Sequence, residues 1–567
     1  MESYVILDGY TDEPAGLGVP PYLDVYPRYV AGAIWHVKPS ATIFYFTIDA
    51  VRKNISRFLS LANKAKAVIF IAGVSVPGKY LGGTPIQVEE IEHLSSLLEN
   101  PIKILGGPAA MFGIGREGGT IADFPLEIKG NFDLIARGDL EEIVYEYLLE
   151  NSLERVDEFK LREDYSKVDV FAVKGARIVL QHPNYGRNLI VEIETFRGCP
   201  RYISGGCSFC IEPLYGRVIF RETKSILKEI ETLYSYGVRN FRIGRQTDIY
   251  AYMATDAGVE EFPKPNPKAI ENLFKGIRWV APRIKVLHVD NANPGMIACY
   301  PEEAVKITKI IVMYHTPGDV LALGVESADP RVVKLNNLKA YPEDAMTAIQ
   351  IINKVGAIRG YNGMPHLLPG VNFVCGLIGE RKETYRLNLE FLREVKERGL
   401  LLRRINIRQV MVFPRTRMSM YGTRIIEKHK RYFKVFKERV RKEIDLPMLR
   451  KIVPRGTILR EVFTEVYEGK NTLGRQVGSY PLLIYIPEIY PLKTFIHVVV
   501  INHGYRSVSG IPYPLNVNKA SRRLLERVPG LGRSSIAKII SQRPFNDLTK
   551  LHAIIGDIEA IQWMSIK

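Results

Sequence analysis

Short apolar runs rich in Ile, Val and Phe recur along the first 150 positions: ATIFYFTID (41–49), AKAVIFIAGV (65–74), PIKILGGP (101–108) and the shorter DLIARG (133–138). Helix-like stretches such as QVEEIEHLSSLLEN (87–100) lie between them. Strands alternating with helices predict a doubly wound parallel sheet. Such sheets take ligands at the carboxyl ends of their strands. Gly106 and Gly107 stand at one such end, either to let a ligand approach the backbone or to make a tight strand–helix turn.

Residues 151–185 are charged and without clear period, and are expected to be a linker. A second series follows, with strands at LIVEIETF (189–196), NFRIGRQTD (240–248), KVLHVDNA (285–292), DVLALGVES (319–327), GVNFVCGLIG (370–379) and INIRQVMVF (405–413). Helical stretches such as KSILKEIETLYSYG (224–237) separate most of them. Six parallel strands with crossover helices predict a partial (β/α)6 barrel over 186–425, with its chemistry at the strand ends. A basic helical segment (426–465), a small β-barrel (466–515) and a helical domain (516–567) complete an α/β chain.

Composition narrows the function classes. No apolar run reaches the roughly 18 residues of a membrane span. The start, MESYVILDGYTDEPAG, has no basic stretch leading an apolar one, so a cytoplasmic protein is expected. The net charge of +17 is unevenly spread: residues 1–150 hold 12 Lys/Arg against 19 Asp/Glu, whereas 401–460 hold 18 against 4. Glu is scarce in the basic part, which favours a nucleic acid, whose phosphates it would neutralise, over a solvated ionic face.

Three of the five cysteines fall within FRGCPRYISGGCSFC (196–210), as Cys199, Cys207 and Cys210. No fourth Cys or His is near, which argues against structural zinc. Three thiolates suit a 4Fe–4S cluster whose fourth iron stays open to a ligand. Gly198, Gly205 and Gly206 let the backbone wrap the group. Cys299 and Cys375 are expected to be buried small apolar residues.

At these residues the chain resembles the radical S-adenosylmethionine (SAM) superfamily. The usual loop there is C-x3-C-x2-C, with an aromatic before the last cysteine. Phe209 fills that place, and the resemblance implies that it lies against the adenine; four extra residues separate the first two cysteines. GVESADPRVVKLNN (324–337) resembles the fourth-strand motif, which implies Glu326 and Ser327 near the ribose or methionine. GVNFVCGLIGERKET (370–384) resembles the fifth-strand motif, which implies that Gly376 and Gly379 support the adenine. The second strand departs from the Gly-Gly-Glu expected there. Its IGRQTD (243–248) leaves Arg245, Gln246 or Asp248 to hold the methionine amine. The superfamily's chemistry implies one-electron cleavage of SAM to a 5′-deoxyadenosyl radical, which takes hydrogen from an unactivated carbon. It also implies a reductant protein such as a ferredoxin.

The first domain resembles the cobalamin-binding-like domain of many superfamily members, through ILGGPAA (104–110) and FDLIARGDLEEIVYEYL (132–148). It has no Asp-x-His-x-x-Gly, so bound cobalamin is left open; if present, it implies methylation at carbon. The β-rich part resembles the TRAM module of tRNA methylthiotransferases, but residues 1–198 lack the cysteines of their second cluster. The tail LLERVPGLGRSSIAKIISQRPFNDLTKL resembles a helix-hairpin-helix, in which Gly530, Gly532 and Arg533 would meet a phosphate. Among Tyr480, Tyr485, Tyr490, Tyr505 and Tyr513, a minority would stack bases. The expectation is a radical SAM enzyme that C-methylates an RNA, first of all tRNA. A radical enzyme acting on a metabolite or lipid, a methylthiotransferase-like enzyme without the second cluster and a nucleic-acid-binding protein with a structural cluster are the alternatives.

Overall fold

The structure, a computed structural model, describes residues 2–10, 21–73, 83–115, 118–122, 129–556 and 558–566. The four apolar runs, with a fifth strand at Ser3–Asp8 that was not expected, form five parallel strands, β1 (Ser3–Asp8), β2 (Thr42–Thr47), β3 (Ala67–Ile71), β4 (Ile102–Gly106) and β5 (Leu134–Ile135). Residue 74, at the end of the second run, lies outside the described residues. The sheet order is β2-β1-β3-β4-β5. Both faces are buried because alternate residues serve different cores: Tyr4 and Ile6 face one, Val5 and Leu7 the other. The strand order reverses between β1 and β3, the crevice where such sheets take ligands. Gly106 and Gly107 are explained by packing. A Cβ on Gly106 would lie 2.3 Å from Leu140 Cδ1, and Gly107 has φ +88 where Ala109 N–H donates to Ala72 O.

The expected linker proves largely ordered. Ser166–Gly175 is a helix, with Val168, Phe171 and Ala172 buried against the helix Val25–Val37. A near-helical spacing of apolar residues hides among its charges. The two helices approach through glycines: a Cβ on Gly32 would lie 1.9 Å from Phe171 O, and one on Gly175 1.8 Å from Arg28 O. Arg28 and Arg221 reach buried Glu229 on the barrel side, tying the domains together.

The second series forms β6 (Ile190–Glu194), β7 (Asn240–Arg245), β8 (Val286–Val289), β9 (Asp319–Glu326), β10 (Leu367–Cys375) and β11 (Arg404–Gln409). Neighbours pair in parallel, with one bridge, Ala292 to Leu323, joining the two halves. β6 and β11 are not paired with each other, so the six strands make an open barrel. The first domain extends both free edges. Tyr22–Leu23 pairs with β6, and Ile121 bridges Val412 beyond β11.

The small β-barrel begins at residue 458, not 466. Its strands are β12 (Ile458–Glu468), β13 (Asn471–Gln476), β14 (Leu483–Ile486), β15 (Phe495–His503) and β16 (Ser507–Tyr513). β12 was expected within the basic helical segment because its charged residues mask the buried Leu459, Val462 and Phe463. The barrel closes in the order β12-β13-β14-β16-β15, the connectivity of OB-type barrels. It covers the amino-terminal end of the larger barrel: Asn188 donates to Glu465, Gln476 to Asn362 O, and Ser479 N–H to His288 Nδ1 at 3.0 Å. The helices Arg522–Leu525, Arg533–Ser541 and Leu548–Ile555 pack on its far side through Leu524, Ile539 and Leu551. Among the described residues no helix is long and apolar enough to cross a membrane.

The glycine crossing sets a stability test. Gly32→Ala is expected to destabilise the protein by about 3 kcal/mol, because the methyl group has no room. Gly130→Ala, where a Cβ meets nothing within 4 Å, is expected to leave thermal melting unchanged. Equal melting of the two variants would refute the close approach.

Candidate functional site

The cysteine loop leaves the carboxyl end of β6 and folds back on itself. Gly198, Gly205 and Gly206 have φ of +88, +76 and +62, a region that side chains disfavour. Cys210 N–H donates to Cys207 O, and Arg201 Nη1 lies 3.3 Å from Cys207 Sγ. The three thiols are close enough for their charges to interact. Burial pushes Cys199 up to about 11, raises Cys207 and raises Cys210 furthest, the last helped by charge on Cys207 and Cys199. Arg201 and Lys339 oppose the rise at Cys199 and Cys207. Three thiolates crowded under protein need a cationic group among them, and the donor set of three sulfurs fits an iron–sulfur cluster.

Two asparagines that the sequence reading passed over hold this loop. Asn336 accepts from Ser208 Oγ at 2.6 Å and from Ile378 N–H, while its amide donates to Ile378 O and Val332 O. It thereby ties the cysteine loop to the turn after β10. Asn337 donates to Ser204 O and Gly206 O and receives Arg201. Phe209 is half-buried and packs in the cluster of Val374, Leu377 and Ile426 beside that turn.

The other expected residues separate into two groups. Glu326 is buried with φ +62 at the end of β9. Its Oε1 and Lys339 Nζ each lie 2.5 Å from the place a Cβ on Gly324 would take, so the glycine leaves a cradle for them. Asp248 is buried, with Oδ1 accepting from Tyr250 N–H at 3.0 Å and Oδ2 bonded to nothing. Burial pushes it up to about 7, against the backbone N–H groups of Asn293 and Tyr250 and the charge of Lys339. Gln246, by contrast, is used up in structure: it donates to Ile243 O and Asp290 O and accepts from Thr195. Arg245 turns to Tyr26 and Asp24 of the first domain. Ser327 Oγ accepts from Asp329 N–H. Gly376 and Gly379 have positive φ, and Cβ atoms there would strike Ile426 and Leu335. Glu380 braces this turn, accepting from Gly376 N–H at 2.7 Å and Tyr385 at 2.6 Å.

Beneath the site lies a cavity of about 830 Å³. Glu194, Arg245, Gln246 and Tyr215 line its upper part, Tyr22, Asp24, Tyr26 and Thr84 its first-domain side, and Tyr480, Tyr485 and Tyr505 its small-barrel side. Polar residues alternate with buried apolar ones along β6, β7 and β11, and that alternation in VEIE, FRIGR and RINIRQ was the overlooked signal for a polar lumen. Met111 and Phe112, just past β4, pack on Ile211, Leu214 and Tyr215 of the cysteine loop. The ligand edge of the first sheet therefore meets the same site. Tyr490 and Tyr513 do not line the cavity, and neither do Gly530, Gly532 and Arg533, which stand on the C-terminal helical unit. Cys375 is buried as expected; Cys299 is exposed, because the helix Pro294–Cys299 ends at the surface.

Comparison with known proteins agrees with this geometry. Residues 193–376 match the Radical SAM superfamily. An uncharacterised protein of Methanocaldococcus jannaschii is 48% identical over 510 residues, covering 89% of this chain and 92% of its own. One from Archaeoglobus fulgidus is 43% identical over 562 residues, 99% of both chains. The fold is similar to that of the radical SAM methyltransferase TsrM from Kitasatospora setae. That likeness has a TM-score of 0.50 at 14% identity, over 74% of this chain and 76% of that one.

If Asn336 holds the loop as drawn, Asn336→Ala releases iron to a chelator on the order of ten times faster than wild type. Cys299→Ser is expected to retain iron normally. Equal release from Asn336→Ala and wild type would remove Asn336 from this role.

Proposed function

We propose, for a chain that belongs to the radical SAM superfamily and to one full-length family with its archaeal relatives, that it methylates an unreactive carbon of an RNA, first of all tRNA. The observation that carries the chemistry is that the half-buried Cys199 and Cys207, Glu326 and Asp248 all lie within reach of Lys339, with Cys210 within reach of both other thiols and one Asp248 oxygen unbonded. Cys199, Cys207 and Cys210 would hold the cluster. When bound, the cluster supplies an electron at low potential to the SAM sulfonium, and cobalamin supplies a transferable methyl group.

The chain's own residues do the positioning. Asp248 offers its bare oxygen to the methionine ammonium, the part that Gln246 and Arg245 are not free to take. Lys339 and Arg201 place positive charge beside the thiolates and stabilise them. Phe209 offers an apolar face to the adenine, and the turn at Gly376–Gly379, braced by Glu380, frames it. The Met111, Phe112 and Tyr215 contact keeps water from the site. Tyr22, Tyr26 and Thr84, on the first-domain wall of the lumen, would hold cobalamin there. No histidine lines that wall among the described residues, so this side offers cobalt no imidazole.

RNA as the substrate is supported by the basic helix Arg424–Val440, by the OB-type barrel and by the hairpin at Gly530–Gly532. A small-molecule substrate is the second reading. It is favoured by Tyr480, one of the tyrosines open to stacking a base, being spent on Asp290, with its hydroxyl 2.8 Å from both carboxylate oxygens.

Two measurements test these statements. Asp248 must be ionised to hold an ammonium, so SAM affinity is expected to fall about tenfold between about pH 8 and pH 6. Asp248→Asn is expected to bind weakly with a flat pH profile; tight binding by this variant would refute the assignment. Nucleoside mass spectrometry of tRNA from a deletion strain is expected to show the loss of one carbon-methylated nucleoside. An unchanged inventory would refute the tRNA reading.

A further inference from the structure

The wall of the lumen that runs from the small barrel up β11 carries an excess of guanidinium groups. Arg403 and Arg404 stand at the start of β11, Arg408 lies further along it, and Arg506 comes from the turn between β15 and β16. All four line the cavity. Arg404 stacks over the Tyr480 ring at 4.2 Å, and Arg403 Nη2 donates to Tyr480 O at 3.1 Å, while Arg403 Nε is buried with no acceptor. Among the described residues, Arg408 and Arg506 donate no hydrogen bond and close no ion pair.

Asp445 bears on Arg403 and Arg506 but is bonded to Arg441, Asp290 and Glu192 are paired with Arg242, and Glu468 lines the cavity beside Tyr485. One shared carboxylate, Asp445, therefore faces Arg403 and Arg506, and among the described residues none of Arg403, Arg408 and Arg506 closes an ion pair. Burial, with Arg404 beside one and Arg441 beside the other, pushes Arg403 and Arg506 down to about 10; Arg404 is lowered as well. Half-buried guanidiniums that repel one another are costly unless an anion joins them.

We propose that Arg403, Arg404, Arg408 and Arg506 form the seat of a phosphate group carried by the substrate. A phosphate fits better than a carboxylate. It brings up to two charges and three oxygens to a wall of several planar forks, whereas one carboxylate fills a single fork. Tyr485 and Tyr505 line the same end of the lumen and offer rings to whatever bears the phosphate. The strands lead from this seat to the cysteine loop, so the phosphate anchors the substrate while its reacting carbon lies toward Glu194 and Gln246. The inference rests on the lumen being the substrate chamber of a radical SAM enzyme, and it applies equally to a nucleotide of RNA and to a phosphorylated small molecule.

The test is equilibrium dialysis of labelled pyrophosphate against the full-length chain. SAM cleavage in the same wild-type preparation reports separately on the radical chemistry. Wild type is expected to bind pyrophosphate saturably. Arg408→Gln and Arg506→Gln are each expected to weaken binding about tenfold, with Arg506→Lys between them and wild type. Arg386→Gln, on an exposed helix face, is expected to bind as wild type does. Circular dichroism melting identifies any variant that fails to fold, and Arg506→Lys then carries the comparison. Displacement of the label by tRNA assigns the phosphate to an RNA nucleotide. Displacement only by nucleoside monophosphates and other small esters assigns it to a small molecule. Absent binding in wild type, or binding that neither glutamine substitution alters, overturns the proposal whatever the cleavage assay shows.

Discussion

Three thiols brought together under protein are the constraint on which the rest of this structure depends. Burial raises all three thiols, and charge on Cys207 raises Cys199 and Cys210 further. The fold supplies partial relief through Arg201 and Lys339, and backbone order through Asn336 and Asn337. What remains is a site that becomes stable when a cationic cluster binds. Its neighbours then follow: Asp248 and Glu326 are carboxylates placed near Lys339, past the ends of β7 and β9 with β8 between them.

The lumen below is a joint product of the chain's parts. An open six-stranded barrel cannot exclude water by itself. The first domain extends both free edges, and the small barrel seals the amino-terminal end with the loop that carries Ser479 and Tyr480. The OB-type barrel thus serves as a wall of the chamber as well as a surface. The glycine crossing at Gly32 and Gly175 and the buried Arg28–Glu229–Arg221 cluster fix the first domain at the distance this geometry needs. The end of the lumen near the cysteine loop and the arginine-rich wall that runs up β11 from the small barrel belong to one cavity.

Much of this was legible in the sequence because it rests on local pattern. The apolar runs of the first sheet, the six barrel strands and the C-x7-C-x2-C loop all announce themselves within a few residues. What stayed hidden depends on approach between distant segments. Asn336 and Lys339 gain meaning only when the turn after β9 meets the cysteine loop. Ser166–Gly175 looked irregular because the face it buries is defined by the helix Val25–Val37. β12 was obscured by charges on its exposed side. Asp248 could be separated from Gln246 and Arg245 only by seeing which side chain still had a lone pair to offer.

Electron paramagnetic resonance of the anaerobically reduced protein, recorded before and after SAM is added, tests the central claim most directly. The account predicts the signal of a one-electron-reduced 4Fe–4S cluster, with g values that move when SAM binds at the open iron. A protein that takes up zinc in place of iron, or a cluster signal that SAM leaves unchanged, would contradict it.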